Sequence, residues 1–411
     1  MTRPGYKRTE IGEIPEEWEV KELDQVSTLK NGLNFKKESK QDKGIPTIDV
    51  LNMYGKGLEV DLSRIYKINM KVDEDYLLEQ GDILIVRSSL KKEGVGWASL
   101  VPKHEGPLTF VGFIIRVKIL DTNIIPEFLT YYLRSKFARD YFRNSAGQVA
   151  ISNINQKTIG ALHFPYVPCK EQQKIAEILT TVDRKIELII KQIEATETLK
   201  KGLMQRLLTK GIGHTKFKMT EIGKIPIEWE AVTMSEVGQY INGMAFKPRD
   251  WKEQGIPIVR IENLNDLNAS FNYYQEEFDK RYILNDGELL LSWSASLGVY
   301  LWNRGKALLN QHIFKVIPKE NVSKYYLYWA LHRAVGTLSR ATHGSTMKHF
   351  QKGELERTLI PLPPLPEQQK IAKILSDADK EIEVLKQKRD KYKLLKVGMM
   401  QQLLTGGIRV K

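Results

Sequence analysis

The sequence predicts an α+β protein in which two similar mixed α/β domains alternate with two long helices that pack against each other. Two repeats support this fold class. A 42-residue segment that begins at Glu171 recurs from Glu367 with 21 of its 42 residues identical, at a constant offset of 196 residues. A shorter match opens each half of the chain, with TEIGEIPEEWE from Thr9 and TEIGKIPIEWE from Thr220. The segments between these repeats differ strongly, so two constant helices accompany two variable domains.

The repeated 42-residue segments have the apolar spacing of coiled-coil helices. In the first segment, apolar residues recur at alternating steps of four and three over about five heptads, and Lys200 interrupts them. Each segment begins with a glutamate and ends at glycine, as helix termini commonly do. About 38 helical residues span roughly 57 Å. Packing the two apolar stripes against each other is the economical solution, and the alternative is that each helix packs on its own domain.

The two variable segments predict mixed α and β structure. Strands are expected in GIPTIDVLNM, GDILIVRSS and FVGFIIRVKI of the first half, and in GIPIVRIENL, GELLLSWSAS and NQHIFKVIP of the second. Amphipathic helices are expected in PEFLTYYLRSKFARDYF and SKYYLYWALHRAVGTLSRA. The irregular strand order contains few clear βαβ units, which favours α+β over a doubly wound sheet. The predicted boundaries are residues 1–168 and 213–364 for the domains, and 169–212 and 365–411 for the helices.

The composition excludes several classes of protein. With 411 residues and 42% hydrophobic residues, the chain is long enough for two to three domains with real cores. No apolar run approaches the roughly 18–20 residues of a membrane span, and the N-terminus lacks the apolar stretch of a signal peptide. The single cysteine, Cys169, excludes disulfides within the chain and cysteine-based zinc sites. We therefore expect a soluble, reduced, cytoplasmic protein.

The net charge of +13 is concentrated in the helical segments. Residues 169–212 carry +3 and residues 365–411 carry +5, although they form less than a quarter of the chain. A basic excess indicates a polyanionic partner such as nucleic acid. The alternative is that lysine-rich helix faces are simply solvated, so charge alone does not decide the matter.

The sequence contains no recognisable catalytic motif. It has neither the Asn-Pro-Pro-aromatic motif of DNA methyltransferases nor a Walker A sequence. Gly94-Val95-Gly96 is a lone GxG that is more typical of a turn than of a cofactor loop. No histidine spacing predicts a metal site. We therefore expect a protein that recognises a partner rather than an enzyme.

Recognition residues are expected on loops that follow the buried strands and the amphipathic helices. Arginine, lysine, serine and amide side chains on such loops can reach phosphates and base edges. The motifs NGLNFK and NGMAFK match between the halves and so more plausibly serve the fold or backbone contact than sequence choice. The candidate DNA-binding residues are Lys36, Arg87, Ser88, Ser89, Lys91, Lys92, Gln148, Ser152, Asn153, Asn155, Lys247, Ser292, Trp293, Ser294, Ser296, His343, Ser345, Thr346 and Lys348.

Several of these motifs together resemble those of the specificity subunits of type I restriction-modification systems. The motifs are IPxxWE at Ile14 and Ile225, the strands GDILIVRSS and GELLLSWSAS, the EQQKIA stretches and the LLTxGI endings. They span essentially the whole chain. The first copy departs only in PYVPCK, which replaces PLPPLP before EQQKIA.

The resemblance implies two target-recognition domains, each of which reads one half of a split, asymmetric DNA sequence. It implies that the long helices pair as an antiparallel coiled coil with internal pseudo-two-fold symmetry and hold the domains apart. The chain itself would be non-catalytic and would bind no cofactor. Two modification (methyltransferase) subunits and the restriction (motor-nuclease) subunits would be its protein partners, and they would supply S-adenosylmethionine, ATP and Mg²⁺.

Two other functions remain open at the level of sequence. One is an active fused DNA methyltransferase, which the missing motifs argue against and which S-adenosylmethionine binding by the isolated chain would favour. The other is a coiled-coil protein scaffold without a DNA role, which predicts no salt-sensitive affinity for DNA. The sequence does not specify the target bases or the length of the spacer between them.

Overall fold

The computed structural model describes residues 2–55, 57–146, 152–294, 297–341, 353 and 357–410. Its internal contacts divide the chain into two compact units. The first unit comprises Met1–Gln192 with Leu385–Lys411, and the second comprises Ile193–Val384. Within the described residues, no helix has the length and apolar character needed to cross a membrane.

The first unit is a mixed α/β structure joined to helical segments. Its helices are α1 (Pro126–Leu133), α2 (Lys136–Ser145), α3 (Gln156–Gly160) and the first part of α4 (Cys169–Lys210). Its strands are β1 (Tyr6–Thr9), β2 (Gly12–Pro15), β3 (Glu19–Glu22), β4 (Ser27–Asn31), β5 (Lys40–Gln41), β6 (Ile45–Ile48), β7 (Tyr66–Ile68), β8 (Ile83–Val86), β9 (Ser88–Ser89), β10 (Ala98–Leu100), β11 (Thr109–Phe110), β12 (Ile114–Ile119), β13 (Ser152–Asn153) and β14 (His163–Tyr166).

The second unit repeats this plan with different residues. Its helices are the last part of α4, α5 (Met234–Val237), α6 (Ile261–Asn265), α7 (Lys324–Ala341) and the first part of α8 (Leu365–Leu403). Its strands are β15 (Phe217–Thr220), β16 (Gly223–Pro226), β17 (Glu230–Thr233), β18 (Gly238–Asn242), β19 (Ile256–Val259), β20 (Asn272–Tyr274), β21 (Ile283–Leu284), β22 (Leu289–Ser292), β23 (Gly298–Leu301), β24 (Ala307–Leu309), β25 (Ile313–Pro318) and β26 (Leu359–Leu362).

The two units share a sheet topology despite their divergent sequences. The order β10-β8-β12-β4 in the first unit corresponds to β23-β22-β25-β18 in the second. A second sheet contains β11-β6-β7 in the first unit and β24-β19-β20 in the second. All four residues of β8 and of β22 are buried, which explains their nearly continuous apolar sequence. The predicted α+β class is therefore confirmed.

The glycine of each matched NG motif allows two backbone segments to lie close together. A Cβ atom on Gly32 would lie 2.2 Å from the carbonyl oxygen of Val111, and one on Gly243 would lie 2.2 Å from that of Asn310. Either contact is far too short for any side chain, so only glycine fits. The repetition of this motif is a requirement of the fold.

Each unit contains antiparallel segments of α4 and α8. The predicted seam positions are largely buried along both helices; Ile175, Leu179, Ile371 and Leu375, for example, are fully buried. In the first unit, Ile175 and Leu179 share a core with Leu403 and Leu404 from the end of α8. In the second unit, the end of α4 likewise shares a core with the beginning of α8. The prediction that the helices pair with each other is confirmed within each unit.

Three predicted elements have different boundaries in the structure. The strand expected in GIPTIDVLNM ends at Ile48, because Asp49 caps a 3-10 helix over Val50–Tyr54 and accepts a 2.7 Å hydrogen bond from the Val50 N–H. The strand expected in GIPIVRIENL likewise ends at Val259, and α6 begins at Ile261. The helix expected over residues 126–142 is broken between α1 and α2. There the hydroxyl of Ser135 caps α2, which a continuous helix would not allow.

Candidate nucleic-acid interface

In the first unit, two separate candidate segments meet at one small sheet. Strand β9 pairs antiparallel with β13, so that Ser89 lies opposite Ser152 and Ser88 lies opposite Asn153. The side chains of Ser88 and Asn153 form a hydrogen bond. The sequence could identify both segments as polar loops, but it could not show that they are neighbours.

Arg87 lies at the point where the central strand β8 leaves the core. Its backbone N–H donates to the carbonyl of Phe113 at 2.8 Å, and its guanidinium donates to the carbonyl of Gly112 at 3.4 Å. Lys91 and Lys92 follow in the next turn, and both are exposed. Three cationic side chains thus follow one buried strand within six residues, an arrangement suited to phosphates and guanine edges.

Two arginines, buried Arg139 and half-buried Arg134, support the turn that follows these cations and the strand β10 after it. Arg139 donates to the carbonyl of Val95 at 2.6 Å and also to that of Glu93. Arg134 donates to the carbonyl of Ala98 at 2.6 Å. Burial lowers the pKa of each guanidinium to about 10, so both remain charged at neutral pH. Sequence analysis missed these residues because they lie within a predicted amphipathic helix with no sign that they bind a loop.

The second unit places an aromatic pair where the first unit has Arg87 and Phe113. The backbone N–H of Trp293 donates to the carbonyl of His312 at 3.3 Å, which repeats the contact between Arg87 and Phe113. The rings of Trp293 and His312 have centroids 5.6 Å apart. Within the described residues, neither the indole nitrogen of Trp293 nor Nδ1 of His312 has a hydrogen-bond partner. The equivalent edges of the two units therefore differ in chemistry.

The remaining described candidates differ in how accessible they are. Lys36 and Lys247 are exposed. Asn155 is exposed, but its carboxamide oxygen caps α3 by accepting from the Thr158 N–H at 2.8 Å. Ser292 and Ser294 are buried, whereas Lys36, Lys247 and Asn155 are exposed.

Several other candidates cannot be placed. The side chain of Ser152 is not among those described, although its backbone pairs in β13. The candidates that lie outside the described residues altogether are Gln148, Ser296, His343, Ser345, Thr346 and Lys348.

A glutamate at the beginning of each long helix joins that helix to its domain. In the first unit, Glu171 accepts a 3.1 Å hydrogen bond from the indole nitrogen of Trp18. Arg409 then donates to both oxygens of Glu171, at 2.8 and 2.9 Å. Desolvation opposes ionisation of Glu171, but the hydrogen bonds from Arg409 and Trp18 outweigh it and lower its pKa. The IPxxWE and EQQKIA motifs therefore form one junction.

The glutamine after each glutamate completes this junction. Gln172 accepts from the Ile125 N–H at 2.9 Å and donates to the carbonyl of Val167 at 2.7 Å. Gln368 makes the corresponding bonds to Ser323 at 2.8 Å and to Pro363 at 2.8 Å. Both side chains are almost fully buried, so the motif orients the helix against its domain.

A matched ion pair joins α4 to α8 in each unit. Lys396 contacts Asp183 at 2.7 Å in the first unit, and Lys200 contacts Asp379 in the second. Lys200 and Lys396 are counterparts in the repeat, and so are Asp183 and Asp379. In one unit α8 supplies the lysine and α4 the aspartate, and in the other unit the helices exchange these roles. The lysine that interrupts the apolar stripe thus meets an aspartate, and a polar contact of this kind specifies helix register.

The family model described as type I restriction modification DNA specificity domain matches the chain twice, over residues 15–198 and 226–393. These two matches cover most of the chain. The chain belongs to this family.

Comparisons with individual specificity subunits agree with this assignment. The chain is 31% identical to a protein of Methanocaldococcus jannaschii named as the MjaX specificity subunit of a type I restriction enzyme, over 99% of this chain and 97% of that one. It is 30% identical to the MjaVIII specificity subunit of the same organism, over 72% of this chain and 73% of that one. Membership of this family places the chain among targeting subunits, which are not the catalytic subunits of such systems. It favours neither of the two alternative functions, the fused methyltransferase and the scaffold without a DNA role.

Solved structures share the fold of this specificity subunit. One is the S subunit from M. genitalium, with a TM-score of 0.57, 16% identity, and coverage of 98% of this chain and 99% of that one. Another comes from a study of assembly and conformational transition in a type I restriction-modification system, with a TM-score of 0.62 and 16% identity. That match covers 96% of this chain and 99% of the other.

Proposed function

We propose that this chain selects the DNA target of a type I restriction-modification complex, and that each variable domain reads one half of a bipartite, asymmetric sequence. The observation that carries the proposal is that the two specificity domains share a topology but differ at one equivalent position. Arg87 follows the central buried strand in the first domain, and Trp293 follows it in the second. Domains that read different bases are expected to differ where they read and to agree where they fold. The proposed domains are residues 1–168 and 213–364, and the proposed spacer helices are 169–212 and 365–411.

The DNA-contacting surface of the first domain is proposed to centre on Arg87. Its guanidinium suits the two acceptors on the major-groove edge of guanine. Lys91 and Lys92 suit phosphates and would supply affinity that is independent of sequence. In the second domain, Trp293 holds the equivalent position, with Lys247 as an exposed cation.

Two modification subunits are proposed to dock on the helices. The observation that supports two copies is a set of exposed apolar positions matched between the helices. Leu188 and Leu199 of α4 are exposed, and so are their counterparts Val384 and Leu395 of α8. Most other exposed positions differ between the two helices, as a solvated surface allows. A matched apolar surface fits two identical partners.

A pair of matched glycines supports the same docking surface. Gly202 and Gly398 lie inside α4 and α8 and are exposed, and apart from the surrounding backbone of its own helix neither has an atom within 4 Å of the position of a Cβ. A glycine inside a helix costs about 1 kcal/mol relative to alanine. No contact within the described residues requires glycine here, and close approach of a partner helix is the explanation that fits this proposal.

The catalytic chemistry is assigned to the partners in this proposal. S-adenosylmethionine is expected on the modification subunits, with ATP and Mg²⁺ on the restriction subunits, and the chain itself holds none of them. The complex would act on DNA in the cytoplasm. In isolation, the chain is expected to transfer no methyl group and to cleave no DNA.

Exchange of one variable domain tests the proposed function. Residues 213–364 would be replaced by the corresponding segment of a relative, and the methylated adenines of a host carrying the complex would be mapped by sequencing. We expect one half of the methylated sequence to change and the other to stay the same. A simultaneous change of both halves, or loss of all sequence dependence in an assembled complex, would contradict the proposal.

A further inference from the structure

An open apolar groove of about 650 Å³ lies beside the candidate DNA loop of the first unit. Three of its apolar side chains, Leu51, Leu90 and Phe113, are 86%, 85% and 58% exposed. The rings of Tyr54 and Trp97 also line the groove, with centroids 6.1 Å apart. Exposed apolar side chains grouped around one groove usually mark a contact surface.

The fold does not require this apolar character. Leu51 lies three residues after Ile48 of β6, and Glu262 lies three residues after Val259 of β19, the equivalent strand. Glu262 is exposed and charged. The second unit thus builds the same topology with a carboxylate where the first has a leucine.

Phe113 likewise has a polar counterpart. Its carbonyl accepts from the Arg87 N–H, and the carbonyl of His312 accepts from the Trp293 N–H in the same way. The histidine therefore occupies the position of the phenylalanine. Within the described residues, these two apolar positions are not matched between the domains. Such a difference fits a ligand that differs between the domains, whereas a protein partner shared by both would meet matched residues.

The polar residues around the groove indicate what kind of ligand it takes. Ser88, Ser89, Lys91 and one carboxylate, Glu93, contribute to its lining, and exposed Lys92 follows Lys91 in the same turn, so that the two lysines outnumber the single acid. A polyanion can approach such a rim while it presents a small apolar group to the groove. In the major groove of DNA, the C5 methyl of thymine is the apolar group that distinguishes one base from the others.

We propose that the groove reads a thymine in the half-site of the first domain, with Leu51, Leu90 and Phe113 in contact with its C5 methyl group. The proposal rests on the proposed function and adds to it a base and the residues that read it. It gives the first domain two kinds of readout, namely hydrogen bonds from Arg87 and apolar contact from the groove. Among the described residues of the second domain, Glu262 and His312 stand at the positions of Leu51 and Phe113.

Single replacement of thymine by deoxyuridine tests the proposal, because it removes only the methyl group. The complex of the full chain with its modification subunits would be titrated with duplexes that carry the mapped target and one deoxyuridine at a time. At one position of the half-site we expect about three- to fivefold weaker binding, as for the loss of one buried methyl-sized group. Deoxyuridine at the thymines of the other half-site removes no contact with this groove. We therefore expect no comparable weakening of binding from it.

Substitutions in the groove complete the test. Leu51→Ser, Leu90→Ser and Phe113→Ser are each expected to weaken binding of the thymine duplex and to reduce its preference over deoxyuridine. Leu120→Ser removes an exposed leucine that does not line the groove and is expected to retain the full preference. Equal thermal melting of the variants would show that folding is intact.

Each outcome separates this inference from the proposed function. Sequence-dependent binding without any response to deoxyuridine would overturn the inference and leave the proposed function standing. A half-site without thymine would do the same. Groove variants that release the modification subunits but keep the thymine preference would show a protein-docking groove instead. A correctly assembled complex that bound no specific sequence would overturn both.

Discussion

The indole nitrogen of Trp229 donates a 2.9 Å hydrogen bond to the carboxylate of Glu367, near the beginning of the second long helix. The same carboxylate accepts from the backbone N–H of Ile212 at 2.9 Å and contacts Nε2 of His214 at 2.9 and 3.0 Å. All four residues belong to the second unit. One side chain thus joins the end of the first helix, the beginning of the second and the domain between them.

Loss of this carboxylate is expected to destabilise the second unit. Glu367→Ala leaves the donors of Trp229 and Ile212 without their acceptor, at a cost of about 1–3 kcal/mol. For a unit of this size, each kcal/mol lowers the melting temperature by roughly 2–4 °C. Thermal melting of Glu367→Ala and of the control Glu381→Ala, an exposed glutamate on the same helix, would measure the effect. Equal melting temperatures would show that the junction contributes little.

The sequence predicts the helices well because their signal is local and repeated. The four–three spacing of apolar residues identifies the seam, and Ile175 and Ile371 are both buried as expected. The role of Lys200 could not be predicted in this way. Its partner, Asp379, is 179 residues away, and only the three-dimensional structure brings the two together.

The exposure of individual candidate side chains could not be predicted from the sequence. Ser292 was predicted to face DNA, yet it is buried at the end of β22. A strand buried on both faces reads as a continuous apolar run, and such a run does not indicate which way its last residue points. The exposure of Phe113 could not be predicted for a different reason, because it lies in a strand-like apolar segment where an exposed residue cannot be distinguished from a core residue.

Arg87 and the lysines that follow are expected to contribute to DNA binding in different ways. Arg87→Ala should weaken binding of the specific target by about 1–3 kcal/mol if the guanidinium contacts a guanine. Lys91→Ala and Lys92→Ala should instead lower affinity for all sequences and reduce the dependence of binding on salt concentration. Titrations of specific and random duplexes at several salt concentrations distinguish the two effects. Unchanged binding by a triple alanine variant would place the recognition surface elsewhere.

The matched apolar positions on the helices predict a change in stoichiometry. Leu199→Glu is expected to remove one docking site and leave one modification subunit per chain, and Leu395→Glu should remove the other. The double variant should bind none, because each glutamate places a charge in an apolar contact. Leu394→Glu is the control, since Leu394 is exposed beside Leu395 but corresponds to Thr198 in the other helix. Mass measurement of the purified complexes would reveal two bound subunits in every variant if the surface were wrong.

Helix length is expected to set the gap between the two half-sites. Both α4 and α8 contribute residues to both units, and each unit holds one lysine–aspartate pair between the helices. Lengthening one helix alone would therefore disturb the pairing. Inserting four residues after Ile190 and four after Lys386, its repeat counterpart, avoids this problem by lengthening both helices together.

Each insertion adds about one helical turn, roughly 6 Å, and approximately preserves the direction in which the seam faces. That length is close to two base-pair steps of about 3.4 Å each. We expect the lengthened protein to direct methylation to the same two half-sites with a longer gap between them. Insertions of two residues, which rotate the seam by about 200°, should disrupt the pairing and abolish methylation. If adenine mapping found the original gap in the four-residue variant, the helices would not act as the ruler.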